Sequence, residues 1–175
     1  MTTTNDRTPT PTSADEFRYV AADGPEVQPL LRDLEREYDS RYGDIFGGAA
    51  QELSRYPAER FARPDGAFVL LVRDGVALAG GAFMRYDADT AEIKRVWTNA
   101  DFRSQGLAKR VLAELEDEAR RRGYAHIHLT TGPRQPEAVR LYLGAGYTPQ
   151  FDTTLPADEV GVHPFRKSLT PWSHR

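Results

Sequence analysis

One short segment of the sequence combines positive charge with small residues at the point where an amphipathic pattern begins. Arg103 and Lys109 flank Gly106 and Ala108 in the run FRSQGLAKR, residues 102–110. The first turn of a helix carries unpaired backbone N–H groups and the positive end of the helix dipole, so it can bind phosphate. Gly106 would let a ligand approach the backbone closely. The segment therefore predicts an anion site, although the same string alone also fits an ordinary helix start.

Two further side chains have the chemistry of proton transfer. Tyr142, in the run QPEAVRLYLGAGY, can donate a proton, and Glu92, in the run AEIKRVW, can accept one. Each has a plainer interpretation. Tyr142 could simply pack as a helical residue, and Glu92 could form a salt bridge with Lys94, Arg95 or Arg85. The residues alone leave these alternatives open.

Composition excludes several classes of function. The chain has 175 residues, a formal net charge of -3 and no cysteine, which excludes thiolate catalysis, disulfides and cysteine metal sites. The negative charge argues against nucleic-acid binding. His126 and His128 share a strand face, but no third ligand accompanies them, so we expect no metal site and a hydrogen-bonded structural role. No apolar run is long enough to span a membrane, and the N-terminus lacks the apolar core of a signal peptide. We therefore expect a cytoplasmic protein without a membrane partner.

The chain reads as one domain between two tails. Residues 1–16 are rich in Thr and Pro and are predicted to be disordered. Residues 17–169 contain no linker and no internal repeat, so they predict a single domain, and residues 170–175 form a short C-terminal tail.

Periodicity and turn signals give the elements that must position these residues. The order is strand, two helices, three strands, a long helix, a strand, a helix and two strands. The predicted segments are a strand at 17–22, helices at 25–43 and 49–56, a hairpin at 66–86 around Asp74-Gly75, a strand at 91–99, a helix from about Ser104 to Gly123, a strand at 124–131, a helix at 135–147 and strands at 147–151 and 161–169. A strand, helix, strand succession predicts a parallel crossover, hence an α/β domain with a mixed sheet.

At this point the chain resembles the GNAT superfamily, the acetyl-CoA-dependent N-acetyltransferases. Arg103, Gly106 and Ala108 match the family signature Q/R-x-x-G-x-G/A, and QPEAVRLYLGAGY resembles N-x-x-A-x-x-L-Y-x-x-x-G-F/Y. Gln135 stands where the family has Asn. The resemblance covers about residues 17 to 169. It implies an α/β (α+β) fold, with a mixed, mostly antiparallel sheet flanked by helices and a central splayed pair of parallel strands.

The resemblance also implies how acetyl-CoA, the expected cosubstrate, would be held. Backbone amides of residues 103–108 would bind the pyrophosphate, with charge added by Arg103 and Lys109. Pantetheine would lie in the gap beside the strand that carries Val96, Trp97 and Thr98. The full set of expected cofactor-binding residues is Val96, Trp97, Thr98, Arg103, Ser104, Gln105, Gly106, Leu107, Ala108, Lys109, Gln135 and Tyr142. No metal is expected.

Three residues are implied to carry the chemistry. The family places a Tyr at the position of Tyr142 near the thioester sulfur, where it can protonate the leaving thiolate. The backbone N–H of Val96 would donate to the developing oxyanion. Glu92 stands at the offset where the histone-acetylating branch carries its base. It would accept the amine proton directly or position a water.

The family builds one wall of the acceptor pocket from its first two helices. Glu37, Tyr38 and Tyr42 lie in this segment and are the candidate acceptor-binding residues. Acidic residues here would suit a cationic acceptor. An ordinary solvated face explains the same pattern, since Glu37 and Arg41 have the spacing of an ion pair and both tyrosines follow the core stripe.

These inferences predict direct acetyl transfer from acetyl-CoA to the primary amine of a small molecule, in a monomer or a homodimer. A direct reaction is favoured because no cysteine is present to carry the acetyl group. Two alternatives remain from the sequence: a protein or peptide N-acetyltransferase with an open groove, and a non-catalytic sensor that binds acyl-CoA.

Overall fold

The computed structural model of the protein describes residues 14–45 and 47–171. In these residues seven strands form one sheet, in the order β1-β2-β3-β4-β5-β7-β6. The strands are β1 (Glu16–Tyr19), β2 (Ala67–Arg73), β3 (Val76–Arg85), β4 (Thr90–Thr98), β5 (His126–Thr131), β6 (Thr148–Pro149) and β7 (His163–Ser168). The helices are α1 (Gln28–Tyr42), α2 (Ala49–Ser54), α3 (Leu107–Arg121), α4 (Pro136–Gly144) and α5 (Ala157–Val160). The predicted order of elements is found, with α5 added between the last two strands.

The hairpin of β2 and β3 forms around the predicted turn. Asp74 and Gly75 both have positive φ, 51° and 76°, which is the twist that a two-residue hairpin turn needs. Consecutive apolar residues of β2 alternate between two cores, with Val69 on the α3 side and Phe68 on the α1 side. Because helices cover both faces, nearly every residue of this strand is buried.

The fold class predicted from the sequence is confirmed: the sheet is mostly antiparallel and contains one parallel pair, β4 with β5. That pair is short. Only Thr90–Glu92 and His126–His128 are in register, while β4 continues to Thr98 and β5 pairs onward with β7. The two parallel strands therefore separate after Glu92, as the predicted splay requires.

A β-bulge lies in β4 just past this point. The register between β3 and β4 shifts between Gly80 and Ala82, and Arg95 adopts a left-handed φ of 59°. On the opposite strand, a Cβ added to Gly81 would come within 3.0 Å of Leu115 and 3.2 Å of Val111 on α3. A glycine at this position therefore lets α3 pack directly against the sheet.

Helix α3 begins later than the sequence predicted. The helical stripe was expected to start near Ser104, but α3 starts at Leu107, and a short 3-10 turn at Ala100–Phe102 precedes it. Gly106 is the residue before the helix, with a left-handed φ of 71°. It does not lie inside the first turn, so the turn into the helix itself favours glycine here. At the other end Gly123 has φ 89°, which confirms the predicted left-handed C-terminal cap.

The first strand of the sheet begins at Glu16 and the last strand of the described residues ends at Ser168. Strand β1 begins at Glu16, and Asp15 forms an ion pair with Arg73 at 2.6 Å, so these two residues belong to the folded part rather than to the tail. Of the predicted disordered tail, residues 1–13 lie outside the described residues, as do residues 172–175. Among residues 14–45 and 47–171, no helix has the length and apolar character needed to cross a membrane.

Candidate functional site

A cavity of about 1030 Å³ lies where β4 and β5 separate. The sheet supplies its floor, the start of α3 and the start of α4 form one side, and α1 and α2 form the other. The predicted site residues that line it are Glu37, Tyr38, Glu92, Val96, Trp97, Thr98, Arg103, Ser104, Gly106, Leu107, Ala108, Lys109, Gln135 and Tyr142. Two predicted residues do not line it: Gln105 is exposed at the loop surface, and Tyr42 is buried behind the wall.

The loop before α3 presents a row of free backbone donors to this cavity. Within the described residues, no backbone N–H from Ser104 to Lys109 donates a hydrogen bond. Gly106 gives the helix no side-chain cap, and no acidic residue occupies the first helical turn. Ser104 has a left-handed φ of 64°, which turns the chain sharply before the helix. Unpaired N–H groups at a helix start attract an anion.

Charge and space at the same loop fit a diphosphate. A Cβ built on Gly106 would meet no atom within 4 Å, so the approach to the backbone is open. Arg103 and Lys109 line the cavity, and neither pairs with a carboxylate in the described part of the chain. Two cations without partners beside free N–H groups form a site that a CoA pyrophosphate would neutralise.

The outer half of β4 forms the adjoining wall. Here the side chains of Val96 and Trp97 point to opposite faces of the sheet, Val96 towards Val111 on α3 and Trp97 towards α1. The Trp97 indole N–H donates to the Asp33 carboxylate at 3.1 Å. Because β5 has already turned away, this stretch of β4 is free to pair its outward main-chain groups with an extended ligand.

Tyr142 occupies the bottom of the cavity wall, on α4. Tyr142 is 7% exposed. The centroid of its ring lies 5.8 Å from that of Tyr147 and 5.6 Å from that of Phe165. Burial raises the pKa of its phenol, so the group is protonated at neutral pH. Among the described residues its hydroxyl has no hydrogen-bond partner. The packed-residue interpretation therefore accounts for the ring of Tyr142 but not for its hydroxyl.

Gln135 lies at the start of α4 and organises the loop before it. Its side-chain oxygen accepts hydrogen bonds from the Gly132 N–H at 3.0 Å and the Thr131 hydroxyl at 3.1 Å. The Tyr42 hydroxyl donates to the same oxygen at 3.3 Å and accepts from the Arg134 N–H at 3.1 Å. Gln135 does not cap the helix through its side chain. This network fixes the loop against α1.

Glu92 lines the cavity in a nearly closed environment. Its side chain is 11% exposed and forms an ion pair with Lys94 at 3.1 Å. Of the partners considered from sequence, Lys94 is thus the one found. The ion pair does not remove Glu92 from the cavity, since both side chains line it. Glu92 can therefore accept a proton from a group bound there while Lys94 balances its charge.

The acceptor candidates on α1 make the contacts of an ordinary helix face, which was the alternative interpretation of this segment. Glu37 forms an ion pair with Arg41 at 2.8 Å, and Arg41 also contacts Glu137 on α4. Tyr38 lines the cavity and stacks at 4.9 Å on Tyr42. The carboxylate of Glu37 is therefore already engaged by Arg41, which it shares with Glu137.

Sequence reasoning expected the first two helices to form this wall, but it named no residue of α2 or of the segment that follows it. Glu52, Leu53, Arg55 and Tyr56 line the cavity, and the Lys94 ammonium lies 4.8 Å from the centre of the Tyr56 ring. No motif marks these residues. Their only signal was proximity in sequence to the predicted acceptor segment. Among the described residues there is no group of His, Asp or Glu that could hold a metal ion.

Comparison with known proteins gives a consistent picture. The profile described as "Acetyltransferase (GNAT) family" matches residues 29–147. Among curated proteins, an IAA acetyltransferase of Azospirillum brasilense is 28% identical over 129 residues, which covers 73% of this chain and 82% of that protein.

Solved structures share the fold. An acetyltransferase of the GNAT family from Staphylococcus aureus superposes with a TM-score of 0.68 at 14% identity, covering 90% of this chain and 100% of that one. The yncA protein of Salmonella typhimurium, solved with its cofactor acetyl-CoA, superposes with a TM-score of 0.64 at 16% identity, covering 93% and 98%. At these identities the likeness concerns the fold alone.

Proposed function

Because the chain belongs to the GNAT acetyltransferase family, whose members use acetyl-CoA, we propose that it transfers an acetyl group directly to the primary amine of a small molecule. One observation carries the proposal. The phenol of Tyr142 is buried at the cavity, protonated, and without a hydrogen-bond partner among the described residues. The hydroxyl oxygen is not one of the fully buried atoms that lack a partner, so a ligand in the cavity can reach it and accept its proton.

Acetyl-CoA would supply an activated acyl group and a thiol leaving group. The free N–H groups from Ser104 to Lys109, with the Arg103 guanidinium, would hold its diphosphate, and Val96 and Thr98 would bond to its pantetheine arm through their main chain. Gln135 would hold the loop beside that arm through its bonds to Gly132 and Thr131.

The protein's own groups then divide the proton transfers. Glu92 accepts the proton of the attacking amine, directly or through one water, because an alkylammonium with a pKa of about 10.4 is not nucleophilic. The Val96 N–H donates to the carbonyl oxygen as negative charge develops on it. Tyr142 gives its proton to the departing sulfur. General acid and base groups of this kind each contribute roughly 10²–10⁴-fold.

The test is turnover with defined substrates. Purified protein, acetyl-CoA and a panel of primary amines should release free CoA thiol, and mass spectrometry should find the matching N-acetyl amine. Acetyl-CoA affinity is measured in parallel by calorimetry, without any amine present. Small amines should be turned over faster than peptides that present the same N-terminal residue.

Two outcomes would contradict the proposal in different ways. If acetyl-CoA binds but no amine or peptide releases CoA, the non-catalytic sensor becomes the better explanation. If peptides are acetylated and free amines are not, the protein is a peptide N-acetyltransferase.

A further inference from the structure

Some of the cations that line the cavity have no ion-pair partner among the described residues. The acidic side chains in its wall are each engaged: Glu37 and Glu137 with Arg41, Glu52 with Arg55, and Glu92 with Lys94. The cations in the same wall without a carboxylate partner among the described residues are Arg95, Arg103 and Lys109. Arg103 and Lys109 lie at the start of α3, where the diphosphate is expected. Arg95 is left over, on the opposite, acceptor side.

The position of Arg95 is unusual in its backbone as well as its charge. It lies at the β4 bulge with φ 59°, a conformation that a long side chain adopts only at a cost. Asn or Gly would satisfy the same turn with less strain. The bulge sends Arg95 to the face that carries α2, where the Leu53 carbonyl accepts a hydrogen bond from its guanidinium at 2.6 Å.

The contacts of Arg95 leave most of its donors unused. The guanidinium lies 4.6 Å from the centre of the Phe61 ring, and its one hydrogen bond within the described residues is to Leu53. A guanidinium has five N–H groups in a rigid fork. None of its nitrogens is both buried and unpartnered, and Arg95 is one of the residues that line the cavity. The charge of Glu52 acts on Arg95 from beyond ion-pair distance, and Glu52 forms its ion pair with Arg55.

Arg95 lies on the same face of the sheet as Glu92, the proposed base, and Lys94. Glu92 and Lys94 are two residues apart in β4, so their side chains point to the same face, and on that face Lys94 lies over Tyr56. Arg95 joins them there because the bulge adds one residue to the strand. A substrate whose amine meets Glu92 would therefore have Arg95 within the same wall of the cavity.

We propose that the acetyl acceptor is an amine that also carries a carboxylate, of the amino-acid class, and that the unused fork of Arg95 binds that carboxylate. The inference rests on the proposed acetyltransferase function and specifies its substrate. It also reverses the cationic acceptor suggested by the acidic residues of α1, since the structure pairs Glu37 with Arg41. A bidentate contact between guanidinium and carboxylate is strong and directional, so it selects the acid as well as holding it.

The first test needs no variant. Matched acceptors that differ only in the carboxylate are compared by kcat/KM for CoA release: leucine with leucinamide and isoamylamine, and phenylalanine with phenylalaninamide and phenethylamine. The free acids should be preferred by about tenfold to a hundredfold, the range expected for a charged hydrogen bond in a partly desolvated site. Equal rates, or a preference for the amides or the diamine putrescine, would overturn the inference.

The second test asks whether replacing Arg95 alone changes the preference for acceptors that carry a carboxylate. Arg95→Gln should remove the preference for the acid, mainly by raising its KM, while leaving the amide rate within about threefold. Arg95→Lys keeps the charge but loses the fork, so it should retain part of the preference. Arg60→Gln is the matched control. It removes an exposed guanidinium that stacks on Tyr56 outside the cavity lining, and it should leave the preference intact.

The outcomes separate this inference from the proposed function. Turnover of amines without any effect of the carboxylate, in wild type and Arg95→Gln alike, would leave the acetyltransferase standing and refute the role of Arg95. Absence of turnover with every amine would refute the function first. Melting temperatures of both Gln variants are measured, and binding of leucine in the presence of CoA is followed by calorimetry. A folded Arg95→Gln protein that binds leucine as tightly as wild type would also refute the inference.

Discussion

The two sides of the cavity are built in different ways. The side proposed for the cofactor consists of consecutive residues, from Arg103 to Lys109, whose backbone N–H groups at a helix start would bind it. The side proposed for the acceptor is assembled from side chains of α1, α2 and β4 that are far apart in sequence, as in the bond from Arg95 to Leu53. Backbone binding leaves a local pattern of small residues. Side-chain binding depends on which distant residues meet, and it leaves no pattern that one sequence reveals.

The largest effect is expected on the cofactor side. Gly106→Glu should abolish measurable CoA binding, because it fills the open approach, repels phosphate and strains a residue at φ 71°. Calorimetry with CoA measures the loss, which should exceed a hundredfold.

Gly123→Glu is the matched control at the other end of α3. It adds the same charge at φ 89°, also with no atom within 4 Å of its Cβ. Both variants should lose about 1–2 kcal/mol of folding free energy from left-handed strain, but only Gly106→Glu should lose CoA. Equal affinity in the two variants would remove the loop from the cofactor site.

The second largest effect is expected when the proposed general acid, Tyr142, is replaced. Tyr142→Phe should lower kcat by roughly 10²–10³-fold, within the range for general acid catalysis, with CoA affinity changed less than threefold. Stability should hardly change, since the hydroxyl has no partner in the described residues to lose.

Tyr147→Phe should show the opposite behaviour. The Tyr147 hydroxyl donates to buried Glu116 at 2.9 Å, so its removal should cost about 1 kcal/mol of stability and leave kcat unchanged. Stopped-flow rates and thermal melts of the pair provide the comparison. A Tyr142→Phe enzyme with full kcat would exclude the acid role.

A smaller effect is expected from Glu92→Gln, about tenfold to a hundredfold in kcat/KM at neutral pH. The deficit should shrink as the pH rises towards the amine pKa of about 10, because a neutral amine needs less help from a base. The measurement is the pH profile of kcat/KM for wild type and variant with one amine.

The ion pair with Lys94 supplies the competing explanation. If Glu92 only balances Lys94, the double variant Glu92→Gln with Lys94→Gln should recover most of the activity, since no charge is then unpaired. A chemical role predicts no recovery.

The smallest effect concerns Tyr42, which the sequence assigned to the acceptor pocket. The structure instead has its hydroxyl join α1 to Gln135 and Arg134. Tyr42→Phe should therefore lower stability by about 1–2 kcal/mol and change the amine KM by less than threefold. A rise in amine KM above tenfold, with CoA affinity intact, would show that Tyr42 contacts the acceptor after all.

Much of the fold was predictable because its signals are local. The Asp74-Gly75 turn, the apolar stripe of α3 and the Gly123 cap each depend on neighbouring residues, and each was found. The start of α3 was misplaced because Ser104 and Gly106 both adopt positive φ, which delays the helix in a way that side-chain periodicity does not show. Helix α5, four residues long, carries too short a pattern to recognise.

The placement of the predicted site residues shows the same division between local and tertiary signals. The residues around Gly106 and the position of Tyr142 followed from two motifs, and both line one cavity. The strained φ of Arg95 could not be foreseen, because it depends on the register between β3 and β4. Nor could the choice of Lys94 as the partner of Glu92 among three basic candidates. Both are settled by tertiary packing.

The separation of β4 and β5 that opens the cavity also leaves β5 with only a short pairing on its β4 side. Strand β4 contacts it in register only through Thr90–Glu92, whereas β7 pairs with its full length, His126–Thr131. The strand that pairs with the full length of β5 is therefore β7, the last strand of the described residues. Because synthesis proceeds from the N-terminus, the part of the cavity wall at Thr130 and Thr131 can be secured only after His163–Ser168 has been synthesised. The proposed acetyl-CoA site, although its motifs lie mid-chain, is therefore expected to be complete only after β7 has paired with β5.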